Sequence, residues 1–443
     1  MIKASSTLPI LHSFLAASLL ISCSASDDMP VSHPEGEPHA VEISMLMGVS
    51  GGIASRNLDT WDGAQQVNDM RLYLFRCPQE KYNTKDEAFT YYVPDDIKQQ
   101  VYYTVDEFNN TTPYYSADHE GKPEQHSFAL NTYLESGYYY QFLAVGRDDK
   151  YVDPESRLLG GPLLEEGKTT LQTAEISIAE SAATIGKSSA TVGKEEPLLC
   201  SEFFSGVAQD ETTKDENPIL VSSGPTHSFR VTITATRNVA GLMIYVTNIP
   251  SIVETNTPDP DGTPTKFTPT RLSIEATSIA KQTMLKGKTA PANAQLLHNK
   301  TLGVIDLTEA NGWTVDNVEH VFTRPADKEK KWQKNSYLVS NFMMPTPEEV
   351  MGKSPNAEGA ETTFYLHYSD DHNHHRYDNV KKTGSTGEVR KFPIEANHLY
   401  SLGSKSSTSN DPYDLKKHYE PIMVDIAIEI EPAFEKKHEF ETE

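Results

Sequence analysis

Cysteine is nearly absent: the 443 residues contain three, at Cys23, Cys77 and Cys200. So sparse a set builds no disulfide framework. Cys77 and Cys200 are expected as two buried free thiols, with a single Cys77–Cys200 bond as the alternative. Tryptophan is equally scarce, and an aromatic sugar platform could draw only on Trp61, Trp313 and Trp332. Positive charge is in deficit, with 39 Lys and Arg against 63 Asp and Glu and a net charge of −24. That balance excludes electrostatic binding of nucleic acid or of an anionic lipid surface. No run of about 20 apolar residues is present, so no permanent membrane-spanning helix is expected. Catalytic constellations are also missing. Gly48-Val49-Ser50-Gly51-Gly52 matches G-x-S-x-G, but that motif needs a central parallel strand before it and a helix after it. Here it follows the first strand, and residues 53–57 do not start a helix, so 48–52 is read as a glycine-rich turn. No enzyme activity and no cofactor are expected.

What is there begins at the N-terminus. Lys3 supplies a positive end and residues 14–21 (FLAASLLI) an apolar run too short to span a bilayer, as in a signal peptide. Leu20-Ile21-Ser22-Cys23 has the form of a lipobox, which makes Cys23 the lipidated first residue of the mature chain. Acyl chains contribute about 0.8 kcal/mol per buried CH₂, and lasting attachment takes more than one chain. Pro30, Pro34 and Pro38 then mark an extended tether over 23–39.

From residue 40 onward the chain reads as all-β, with short alternating runs broken by Pro, Gly, Asn and Asp. Val41, Ile43, Met45 and Met47 alternate with Glu42, Ser44 and Leu46 in a half-buried strand. Residues 70–76 (MRLYLFR) and 138–146 (YYYQFLAVG) are further strands. Their aromatics, with Trp61, are expected in the core rather than on a ligand platform. A boundary is placed near 222–226, giving a first domain over 40–224 and a second over 225–443. The pair 228–236 (SFRVTITAT) and 239–249 (VAGLMIYVTNI) is expected to open the second as a β-sandwich. Near the end, Ile422, Val424, Ile426, Ile428 and Ile430 alternate with Asp425, Glu429 and Glu431. Two other stretches gather candidate metal ligands. His367, His372, His374 and His375 lie with Asp370 and Asp371 in HYSDDHNHHRYD, where a solvated hairpin loop is expected and metal binding is the alternative. Asp259-Pro260-Asp261-Gly262 lacks the later ligands of a calcium loop and is read as a turn.

Several phrases together carry a resemblance. They are the lipobox Cys23 followed by one strand and Ser55-Arg56-Asn57, and Trp61-Asp62 leading into Leu72-Tyr73-Leu74-Phe75. Tyr140-Gln141-Phe142-Leu143-Ala144-Val145 and Arg237-Asn238-Val239-Ala240-Gly241-Leu242 with Thr247-Asn248-Ile249-Pro250 continue the series, and Asn397-His398-Leu399-Tyr400-Ser401-Leu402 ends it. In this order the chain resembles the fimbrillin family, the subunits of type V pili built from outer-membrane lipoproteins. Asp27 and Asp28 also resemble the surface-export signal of such lipoproteins. The resemblance implies two tandem transthyretin-like, Greek-key β-sandwich domains. It implies an arginine-specific protease cutting between Arg56 and Asn57, removal of the first strand with its lipid, and strand exchange with other pilus subunits. The donated strand would be Ile422, Val424, Ile426, Ile428 and Ile430. Shaft, tip and anchor positions stay open, an anchor keeping its first strand and its lipid. A surface glycan-binding lipoprotein is the rival reading.

The lipobox yields the first prediction. Cys23→Ala is expected to release the chain from the membrane fraction or leave it as uncleaved precursor. Acyl labelling with membrane fractionation checks this, and normal retention of the variant would refute it.

Overall fold

Period-2 runs of β-branched and aromatic residues produce a chain whose regular secondary structure, among the described residues, is almost all strand in a computed structural model of the protein. The structure describes residues 38–50, 69–94, 103–104, 125–147, 164–178, 197–256, 263–346, 362–382, 393–418 and 425–431, with brief interruptions inside some stretches. Within these, Glu35–Glu443 forms one compact unit. The all-β expectation holds.

The first sheet contains β1 (Pro38–Ser50), β2 (Asp69–Pro78), β3 (Thr90–Tyr92), β4 (Gln125–Glu135), β5 (Tyr138–Arg147), β6 (Phe203–Gln209) and β7 (His227–Arg237). Their spatial order is β3-β2-β5-β6-β7-β1-β4. The second sheet takes β8 (Ala240–Thr247), β9 (Arg271–Ala280), β10 (Leu296–Asp306), β11 (Ser336–Met343), β12 (Phe364–Ser369), β13 (His375–Lys382), β14 (Leu399–Leu402) and β15 (Asp425–Glu431). They run β10-β9-β12-β13-β15-β14-β8-β11.

The alternation along β2 and β5 shows how the first sheet buries both faces. Leu72, Leu74, Tyr140, Phe142 and Ala144 belong to one apolar cluster, together with Val41, Leu134, Phe204, Val231 and Ile233. Their neighbours in sequence, Tyr73, Phe75, Cys77, Leu143 and Val145, belong to a second and larger cluster. That cluster continues into Leu242, Ile244, Leu272, Ile274, Leu366 and Tyr400 of the second sheet. A side chain on one strand therefore chooses its core by parity alone, and each fully buried one contributes about 1.5–3 kcal/mol. Cys77 and Cys200 are free and buried, as expected in the first instance, and burial pushes the Cys200 thiol up to about 12.

Two local expectations change. Residues 228–236 do not open the second sheet: β7 pairs with β6 and β1 in the first, while β8 pairs with β11 and β14 in the second. The chain crosses between the sheets at Arg237-Asn238. The Asn238 N–H still donates to the Phe203 carbonyl at 3.0 Å, so pairing with β6 persists up to the crossing. Its side chain then takes over, accepting from Ser205 Oγ at 2.8 Å and donating to the Leu285 carbonyl at 3.3 Å. Nor do Gly48, Val49 and Ser50 turn; they extend β1 opposite Thr234, Ala235 and Thr236.

A buried amide pins the connecting segment to the second sheet. Asn341 on β11 donates at 2.7 Å to the carbonyls of Leu198 and Leu302, and its Oδ1 accepts from the N–H of Cys200 at 3.2 Å. Asn341→Leu would leave those three backbone groups without their partner, at about 1–3 kcal/mol each. A loss of about 3 kcal/mol or more is expected in a urea titration, and a loss under about 1 kcal/mol would contradict this account.

Candidate functional site at the first strand

The alternating residues 41–47 form the middle of β1, and the sheet receives them in an unusual way. Val41–Ser50 runs parallel to His227–Thr236 of β7, while Pro38–Gly48 runs antiparallel to Gln125–Glu135 of β4. The β1–β7 ladder is the one parallel pairing of the first sheet among the described residues; the others are antiparallel. β1 therefore lies in a slot between two strands that come from distant parts of the chain and share no ladder with each other. The chain passes from β4 to β5 through a turn at Ser136-Gly137, with Gly137 at φ +82, but the two strands share no ladder, and β1 is the neighbour that β4 pairs with in the sheet. Only glycine adopts that angle without strain.

Inside the slot, Val41 is 2% exposed and packs in the cluster that holds Leu134, Val231 and Ile233. The register sets Met45 opposite Val231 and Met47 opposite Ile233. The N-terminal mouth is closed by a charged and aromatic clamp. Pro38 is opposite Glu135, which pairs with Arg76 at 2.7 Å. The Arg76 guanidinium lies 4.0 Å from the Tyr92 ring centroid and 4.4 Å from that of Tyr138. Tyr140 donates its hydroxyl to the Glu135 carbonyl at 3.0 Å. Burial drives the Tyr92 and Tyr140 phenols well above their ordinary range, so both stay protonated donors.

The C-terminal strand occupies a slot of the same kind. β15 is parallel to Asn379–Lys382 of β13 and antiparallel to Leu399–Ser401 of β14. The two slots are filled to different degrees. β1 has ten register partners on one side and eleven on the other; β15 has four and three. No residue of β15 is paired on both sides.

The other expected site residues fall as follows. Cys23, Arg56, Asn57, Trp61, Ile422, Val424 and the turn 259–262 lie outside the described residues. Ile426, Ile428 and Ile430 lie on β15, in the chain's own second sheet. Trp313 and Trp332 are buried, 2% and 4% exposed, and pack near Tyr337. They form no exposed platform. The histidine-rich stretch is not a long solvated loop. His367 ends up buried on β12 and His375 opens β13, so the turn between the two strands spans only 370–374. Asp370 organises that turn by accepting the N–H groups of His372 and His374 at 2.9 and 3.0 Å.

No family model matches the chain, and no curated protein matches it. Solved structures do. A candidate cell-adhesion protein from Bacteroides eggerthii is 10% identical, with 89% of this chain and 95% of that one covered, at a TM-score of 0.34. The fimbrial anchor protein of Porphyromonas gingivalis is 9% identical, covering 82% and 90%, at 0.29. The tip fimbrial protein of the same organism, truncated at its C-terminus, is 8% identical, covering 81% and 93%, at 0.26. Values this low carry nothing about function or assembly to this chain.

A charged side chain inside the slot tests its apolar character. Val41→Asp is expected to destabilise the chain by about 3 kcal/mol at pH 7. Burial raises the carboxyl pKa in the folded state, so the folded state binds the extra proton and the penalty shrinks as pH falls toward 4. Thermal unfolding at the two pH values checks both sign and size; equal penalties would contradict a buried position.

Proposed function

We propose that the chain is a cell-surface fimbrial subunit, made as a lipoprotein precursor, that polymerises by strand exchange through the β1 slot. The observation that carries this reading is the position of β1 between a parallel and an antiparallel neighbour that meet only through it. Removal of β1 would leave two rows of backbone N–H and C=O groups beside an apolar cluster. An added extended segment satisfies both at once. The cut that frees β1 would fall between Arg56 and Asn57, since Arg56 is the first Arg or Lys after Cys23.

The occupant of the vacated slot would be the C-terminal strand of another copy, carrying Ile422, Val424, Ile426, Ile428 and Ile430. Two features support that choice. β15 already lies between one parallel and one antiparallel neighbour, the polarity the β1 slot demands. It also has few ladder partners to lose at home, while five apolar side chains entering the slot would contribute about 1.5–3 kcal/mol each before ordering costs. An anchor subunit, which would keep β1 and the lipid, is the second reading, and the completeness of β1's two ladders favours it. The glycan-binding alternative loses two of its three tryptophans to the core.

N-terminal sequencing of the surface protein separates the two readings. A start at Asn57, abolished by Arg56→Ala, is expected for a polymerising subunit, and a start at Cys23 identifies an anchor. Deleting residues 421–443 is then expected to leave a cleaved, folded chain that no longer forms ladders on a denaturing gel. Loss of the main unfolding transition in that deletion would show instead that the strand belongs to its own sheet and is not donated.

A further inference from the structure

On the outer face of the second sheet, three neighbouring strands bring a carboxylate and two imidazoles into one row. Glu275 lies on β9, His367 on β12 and His375 on β13, and the sheet order makes these strands adjacent. Their parity separates them from the core, because Ile274, Leu366 and Arg376 point the other way and are buried there. Ser273 Oγ donates to Glu275 Oε1 at 3.0 Å, and the same oxygen meets His367 Nδ1. His367 is 3% exposed, and its ring stacks on Tyr377 at 4.1 Å and 12°. Its orientation is therefore fixed from two sides. The remaining nitrogen, Nε2, lies 2.9 Å from His375 Nδ1.

A carboxylate on Nδ1 fixes the His367 tautomer, leaving Nε2 with a lone pair. This is how metal-ligating histidines are held. Two imidazole nitrogens on one tetrahedral zinc, at about 2.0–2.1 Å each, stand about 3.3 Å apart. The observed pair needs to open by only about 0.4 Å to admit the ion. We propose that His367 Nε2 and His375 Nδ1 form a two-histidine site for a borderline divalent cation such as zinc, with Glu275 as the positioning residue. Neutral His375 moves its ring hydrogen from Nδ1 to Nε2 on binding, so no proton is consumed. Among the described residues, no third His, Cys, Asp or Glu is arranged with these two around a common point. Water completes the coordination, and imidazole ligands select zinc, copper or nickel over calcium or magnesium.

The site is distinct from the turn below it, where His374 Nδ1 is 2.8 Å from Asp370 Oδ2 and His372 faces solvent. The test is calorimetric titration of the full chain with zinc chloride, beside melting curves with zinc and with EDTA. A single equivalent should bind and raise the melting temperature, with no such shift from magnesium. His375→Ala should abolish both effects while keeping a single cooperative melting transition in EDTA, which shows that the variant folds. Glu275→Gln should weaken binding about tenfold or more while both ligands remain. His372→Ala should change nothing. An absence of zinc binding by the unaltered chain overturns the proposal. So does binding that survives His375→Ala, or binding lost in His372→Ala.

Discussion

A strand inside a sheet must satisfy two rows of backbone groups that are not its own, and β1 does this for strands that never otherwise meet. Its N–H and C=O groups close the free side of β7 and the free side of β4 together. Without an occupant in that slot, both rows face water and Leu134, Val231 and Ile233 lose cover. The slot sets the polarity and the apolar parity of whatever occupies it, and β1 supplies both. The first sheet is therefore completed by β1, which joins two strands that share no ladder of their own.

The larger core imposes the opposite behaviour on the rest of the molecule. It runs from the inner face of the first sheet into the second, so the two sheets share one body of apolar side chains. Buried polar groups then fix how that body is laid out. Asn238 replaces the backbone partner lost where the chain leaves β7, and Asn341 holds 198–200 against β10. Arg376 and Asp378 pair at 2.8 Å on the core face of β13; burial pushes the Asp378 carboxyl up to about 6 against the pull of the guanidinium. Such groups tolerate little rearrangement, since a displaced partner leaves a buried donor or charge exposed to an apolar medium. β1, with its two long ladders, is thus set in a frame that resists repacking.

The sequence discloses the strands better than their partners. Alternation at 41–47, 70–76 and 138–146 is visible because period 2 is local, and each run appears as a strand. Membership of a sheet is not local. Two runs as close as 228–236 and 239–249 look like a hairpin, and only the continued bonding of Asn238 to Phe203 shows that the chain is changing sheets instead. β1 extends through Gly48 because its neighbour is parallel and reaches it from 186 residues downstream at Thr234, a pairing no turn signal announces. The histidine stretch misleads for a related reason. Asp, Asn and His crowd its tip, but Glu275, which holds His367, lies 92 residues upstream.

The direction of the ladders around β1 also determines how the slot bears load. A pull along the axis of the occupying strand acts at right angles to the antiparallel bonds with β4, so those bonds resist together in shear. Lifting the same strand sideways would instead break them one at a time, as a zipper opens. The strand β15, paired along half its length on each side, offers no such collective resistance in its present place. β1 and β15 thus meet tension differently by arrangement alone, the one held by two long ladders and the other by two short ones.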